Sequence, residues 1–216
     1  MFSTVPPAPP DVIDDDLEPW SGELTSQFEL EDALVTGDFA EARAAGGRLM
    51  RSRLDRAVLT GSRLRSVALI DVVASGCEVS GADWTSARMR RVRFEGSRLA
   101  GLLLADAELD DVVFRNCKLT LASLNSARLR EVVFEGCELD EAFLGRGSMR
   151  AVRFDGCRLL RADFSGASLA RVDLRGSELD PAGDVSGLRG AIIDAVQLAG
   201  LAGHLARAAG ITVADD

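Results

Sequence analysis

The chain has 216 residues, enough for one domain with a sizeable core, and its interior must be aliphatic, because 47% of the residues are hydrophobic but only 5% are aromatic and none is Tyr. No apolar run approaches about 18 residues, and the opening MFSTVPPAPPDVIDDD has neither a basic nor an apolar segment, so neither a transmembrane helix nor a secretory signal is expected and the expected location is cytoplasmic. The net charge of −9 is unevenly spread: residues 1–31 hold eight acids and no base, residues 32–181 hold 22 acids and 23 bases, and residues 182–216 hold four acids and two bases.

The first 24 residues are Pro-rich and acidic and read as disordered. Asp14–Asp16 suits a solvated linker better than an interaction tail. Residues 25–31 lead into the body, so residues 1–31 are read as one largely disordered acidic tail.

From residue 32 to 181 the chain falls into 30 blocks of five, as in SRLDR-AVLTG-SRLRS-VALID and VRFEG-SRLAG-LLLAD-AELDD. The middle residue of 28 blocks is Leu, Phe, Met, Val or Trp; the other two centres are Ala44 and Ala74. A period of five suits neither a helix nor a simple strand alternation. It suits a chain that turns a corner every five residues, with two inward positions per side. A second period of 20 lies inside the first. Phe94, Phe114, Phe134 and Phe154 share one column; Val72, Val92, Val112, Val132, Val152 and Val172 share another; Cys77, Cys117, Cys137 and Cys157 share a third with Ser97 and Ser177. Four blocks thus make one coil, and like residues stack on like. At a strand spacing of roughly 4.8 Å the rod is on the order of 36 Å long. Gly76, Gly96, Gly136, Gly156 and Gly176, with Asn116, occupy one corner column, where a tight turn favours positive φ.

The register breaks at AGDVSG, residues 182–187, and resumes with Leu188 and Ile193 as centres. Asp194 is then a candidate N-cap, with Gln197 three residues on as its capping-box partner. Leu198, Leu201, Ala202, Leu205 and Ala208 share one helical face, and Gly210 ends the helix. Residues 194–216 therefore read as a capping helix and tail, and residues 32–193 as the solenoid. Leu198, Leu201 and Leu205 are the candidate contacts, either plugging the open end or joining two copies.

No catalytic, cofactor or metal constellation emerges. His204 is the sole histidine, the cysteines are 20 apart rather than in a C-x₂-C pair, and no phosphate-binding Gly-rich motif occurs. The thiols read as small buried hydrophobes. Asp110–Asp111 reads as solvated surface. One outer face carries a pattern: Arg88, Arg90 and Arg91 on one coil, Glu108, Asp110 and Asp111 on the next, Arg128 and Arg130 on the third. Opposite charges one coil apart are better read as support for the ladder; the sharper alternative is a charge-banded docking face. Leu103, Val113, Val133, Phe143 and Leu160 are expected to point outward.

The five-residue pattern resembles the pentapeptide-repeat family, whose repeat reads roughly A(D/N)LXX; ADFSG at 162–166, followed by ASLAR, is similar to it. The resemblance covers about 70% of the chain and implies an all-β solenoid, a right-handed quadrilateral parallel β-helix closed by a short C-terminal α-helix. The C-terminal module is similar to that of gyrase-protecting members, some of which dimerise through that end. Two functions follow as expectations. The first is a non-enzymatic rod that binds or scaffolds a protein partner. The alternative is a DNA mimic that engages DNA gyrase or another type II topoisomerase, which the near-neutral body disfavours. No cofactor, membrane contact or direct nucleic-acid binding is expected, and a homodimer through the C-terminal end fits the apolar helical stripe.

Overall fold

The computed structural model describes residues 6–182 and 185–214. Every fifth residue of the body has a left-handed backbone: φ is +54° at Asp71, +61° at Gly76, +66° at Gly81 and +59° at Ser86, and again +50°, +56°, +65° and +57° at Arg91, Gly96, Gly101 and Asp106. Such a residue reverses the side-chain alternation and turns the chain. Four corners per coil give four sides, and each side meets its counterpart 20 residues on, as in Arg48↔Ala68 and Ala68↔Arg88.

In chain order the strands are β1 (Glu18–Trp20), β2 (Glu29–Glu31), β3 (Ala33–Val35), β4 (Arg48–Asp55), β5 (Ala68–Ser75), β6 (Arg88–Glu95), β7 (Glu108–Arg115) and β8 (Arg128–Arg130). There follow β9 (Val133–Glu135), β10 (Ser148–Arg150), β11 (Arg153–Asp155), β12 (Arg158–Leu160), β13 (Ser168–Ala170), β14 (Val172–Asp173), β15 (Glu178–Asp180), β16 (Ala191–Ile192) and then α1 (Ala195–Ala208). Fourteen of the strands form one parallel sheet. Strands β4 to β7 each run through the corner at Arg51, Asp71, Arg91 or Asp111, so the sheet wraps two sides of the rod. The remaining sides are tied by single parallel bridges such as Val58↔Glu78 and Arg63↔Asp83, and by the β12–β15 pair. The fold is a parallel β-solenoid with one C-terminal helix.

Each side turns two residues inward. On the second side these include Val92 with Phe94 and Val112 with Phe114, all fully buried. The four Phe rings of this column stack nearly parallel, with centroids 5.1, 4.9 and 4.7 Å apart. Trp84 and Phe164 extend the aromatic run at tilted and edge-on angles. In the adjoining column all four cysteines are buried and free. Cys137 and Cys157 each direct Sγ at a carbonyl 3.3 Å away, that of Phe114 and of Phe134. Ser97 and Ser177 fit the same column because their hydroxyls accept from the amides of Cys77 and Cys157 at 3.1 and 3.0 Å.

The first coil departs from the expected register. Leu34 pairs with Arg53 and Val35 with Leu54, a step of 19, and the step of 20 returns at Asp38↔Val58. Ala33 and Val35 are therefore the buried pair, and Leu34, expected as an inward centre, is only half-buried. One residue is missing between the second and third sides, next to Gly37, whose φ is +119°.

Both ends are covered. At the start, β1 adds to β3, Trp20 stacks on Phe39 with centroids 5.7 Å apart, and Leu24, Phe28 and Leu30 pack against the core. The acidic stretch before β1, expected as part of a largely disordered tail, is placed along the outside of the rod from the coil of Asp111 down to that of Arg53. At the far end, β16 continues the ladder from β14, and α1 follows.

Candidate binding surfaces

The charge-banded face lies on the first side, where residues flanking each inward Met or Leu point out. Arg128 is ion-paired with Glu108 and Arg130 with Asp110, one coil apart. Arg88 and Arg90 lie in register with Glu108 and Asp110, yet they are exposed and make no ion pair among the described residues. The acids lean toward one coil and leave the other basic. Next to that band the face is apolar, with half-buried Ala68, Ile70 and Met50.

Arg91 and Asp111 belong elsewhere. They sit in the corner column, where Arg91 binds Asp71 through Nε at 2.6 Å and its terminal nitrogen at 2.5 Å. Burial opposes the charge on Asp71, but the bonds from Arg91 and from the Asp11 amide outweigh it and hold the carboxyl below its usual range. The Asp110–Asp111 pair, read as solvated surface, is thus divided between an ion pair on the side and a contact on the corner.

Of the residues expected to point outward, Leu103 and Phe143 are exposed, and Val113 and Leu160 are half-buried. Val133 is buried, in register with Val113 on one coil and Arg153 on the next. A cationic cluster lies on the fourth side: Arg43, Arg63 and Arg65 line a hollow of about 620 Å³ with Asp83, which pairs with Arg65 at 2.7 Å. Arg43 and Arg63 are 20 residues apart, so the 20-residue coil stacks them.

The helix closes the C-terminal end by a polar contact as much as by an apolar one. Asp194 accepts from the amide of Gln197 and Gln197 Oε1 from that of Asp194, both at 2.9 Å, completing the capping box. Gln197 Nε2 donates to the carbonyls of Leu174 and Ser177 at 2.6 and 2.7 Å, the first of which also accepts from the Ser177 amide at 3.2 Å. Leu201 is 2% exposed, but Leu198 is 52% and Leu205 40% exposed. The expected three-leucine stripe therefore divides: one leucine packs on the rod and two remain on the surface with Val196, Ile211 and Val213. His204 faces Asp180 at 3.7 Å. Among the described residues no group of His, Cys, Asp or Glu is arranged to hold a metal, and no helix is long and apolar enough to cross a membrane.

Residues 107–183 match the family model of the pentapeptide repeat region. No curated protein sequence matches the chain. Among solved structures, it is similar to HetL, a pentapeptide-repeat protein involved in heterocyst differentiation regulation from the cyanobacterium Nostoc sp. strain PCC 7120. That match has 22% identity over 79% of this chain and 87% of HetL, with a TM-score of 0.46. Full-length QnrB1, a plasmid-mediated fluoroquinolone resistance protein, matches at 16% identity over 85% of this chain and 99% of its own, with a TM-score of 0.37. Rfr23 from the cyanobacterium Cyanothece 51142 matches at 17% identity over 70% and 91%, with a TM-score of 0.20. The five-residue sides and 20-residue coil of the matched span continue upstream of it through Val58↔Glu78, and residues 107–183 are a pentapeptide repeat region.

Proposed function

We propose that the chain is a non-enzymatic rod that binds a protein partner through its outer faces, with the band of Arg88 and Arg90 as a principal contact. The observation that carries this reading is the unequal use of charge on the first side. Glu108 and Asp110 are engaged by Arg128 and Arg130, whereas Arg88 and Arg90 are exposed beside an apolar strip. Two guanidinium groups on a stiff ladder suit carboxylates of a partner, because their spacing is set before binding. A body of 22 acids and 23 bases in residues 32–181 has too little excess positive charge to hold a nucleic acid backbone and too little negative charge to imitate one.

The test is affinity capture from native extract with the full chain and with the R88E/R90E variant. A partner retained by the wild type and lost by the variant supports the reading, and identical captures overturn it. The competing function, mimicry of DNA toward gyrase or another type II topoisomerase, is tested by supercoiling with stoichiometric protein. Inhibition or drug protection at that ratio replaces the scaffold reading.

A further inference from the structure

Residues 6–11 read Pro-Pro-Ala-Pro-Pro-Asp. Proline has no amide hydrogen, so this segment carries backbone N–H groups only at Ala8 and Asp11. Both are engaged, and by the same kind of group: the Ala8 amide donates to Asp111 Oδ1 at 2.9 Å and the Asp11 amide to Asp71 Oδ1 at 3.0 Å. Asp71 and Asp111 stand in one corner column, two coils apart, with Arg91 between them. Two coils rise roughly 9.6 Å. Three residues of polyproline II advance about 9.3 Å. The repeat of the ligand and the repeat of the rod therefore coincide.

Asp71 is 5% exposed, whereas Arg51, Arg91 and Asp111 in its column are not buried. The segment itself is held lightly: no residue from 6 to 17 is buried. Besides the two amides, Asp14 pairs with Arg53 at 2.7 Å. A polyproline II stretch has no internal hydrogen bonds to lose and little entropy to surrender on docking. Light attachment and a preformed shape are the properties of an exchangeable ligand.

We propose that the Asp71–Arg91–Asp111 corner is a binding track for a proline-rich segment of a partner protein, one with free amides three residues apart, and that residues 6–11 occupy it as an intramolecular competitor. The carboxylates read amide spacing, and Arg91 holds Asp71 in place while attracting an acidic flank like Asp11. This track uses the corner and not the exposed Arg88–Arg90 band, although Arg90 attracts Asp71 through space.

The probe is a fluorescein-labelled synthetic peptide of residues 5–17, titrated by anisotropy against full-length wild type, A8P and A8P/D111A. A8P removes one amide from the tethered competitor and keeps its polyproline II shape. It is expected to bind the peptide about tenfold tighter than wild type, the worth of one hydrogen bond to a charged group. A8P/D111A removes the acceptor and is expected to lose about that factor again. Amide exchange on the wild type is expected to show protection at Ala8 and Asp11. Unprotected amides there overturn the proposal, as does an A8P variant with no peptide binding. A wild-type dimer that A8P dissolves would assign the track to a second copy of the chain and likewise overturn it.

Discussion

Phe134 lies over Phe154 with ring centroids 4.7 Å apart and planes 6° from parallel, and Phe114 covers its other face at 4.9 Å. An interior ring flanked this closely on both faces cannot be replaced by relaxation of its neighbours, whose backbones are fixed in the ladder. Phe134→Ala is expected to cost about 3–5 kcal/mol in urea unfolding. Phe134→Leu keeps most of the volume and should cost clearly less. Equal midpoints for the two variants would show that the column tolerates a void.

Gln197 joins the helix to the solenoid through the carbonyls of Leu174 and Ser177. Gln197→Ala removes the side-chain donor from the Ser177 carbonyl and one of the two donors from that of Leu174, which keeps the Ser177 amide, and is expected to destabilise by about 1–3 kcal/mol. Amide exchange should rise first in the last coil and in α1, with the Phe column unchanged. Uniform exchange across all coils would mean that the helix does not guard this end.

The buried thiols should be silent in the folded protein. Burial raises Cys77 to about 11, so at pH 8 only ~0.1% of it is thiolate; the hydrogen bond with Cys137 instead lowers Cys117, and there it is burial, at 1% exposure, that keeps a reagent out. A thiol reagent at that pH is expected to label none of the four cysteines until urea unfolds the rod, and then all four. Labelling under native conditions would place the column near solvent.

The five-residue period, the Phe and Cys columns and the Asp194–Gln197 box are legible in the sequence because each repeats or follows a local rule. Other features are not. Leu34 looks like a centre because it continues the period, and only pairing reveals the step of 19 that puts Val35 inside. Leu198 and Leu205 share a helical face with Leu201, but the helix rests on the narrow strip of Leu201 and Gln197, so a shared face is not a shared burial. The proline-rich stretch has no apolar period. Its amide spacing acquires meaning only against the rise of two coils. The outward bands are visible as residue types, yet which acid pairs with which arginine depends on side-chain lean, which spacing does not encode.

Acid should weaken the corner and the helix cap together. The folded-state pKa of Asp71 lies below the usual 3.8, as does that of Asp194, which accepts amides from Gln197 and Gly176. A depressed carboxyl stabilises the fold above its unfolded value and ceases to as pH falls through the folded one. Unfolding midpoints are expected to stay level between pH 7 and 5 and to drop below about pH 4. D71N should show a shallower drop than wild type. Superimposable profiles would separate Asp71 from acid stability.

The exposed end of α1 should self-associate. Leu198 and Leu205 are exposed on one face of α1, an apolar patch at the tip of a rod. Sedimentation is expected to find a dimer in the wild type and a monomer in L198E/L205E, with the same circular dichroism. L201E should instead unseat the helix. A wild type that stays monomeric at high concentration removes this contact.

The step of 19 in the first coil has a consequence for how the gene can vary. Each column pairs only with its neighbours above and below, so adding or removing a whole coil lengthens or shortens the rod and leaves every stack aligned. A change of any other length throws all later columns against the wrong partners, unless it falls where few coils remain to be misaligned. The one-residue shortfall beside Gly37 falls there, with only the short strands β1, β2 and β3 on its near side. Length in this molecule is a quantity counted in twenties, and small errors are affordable only at the tips.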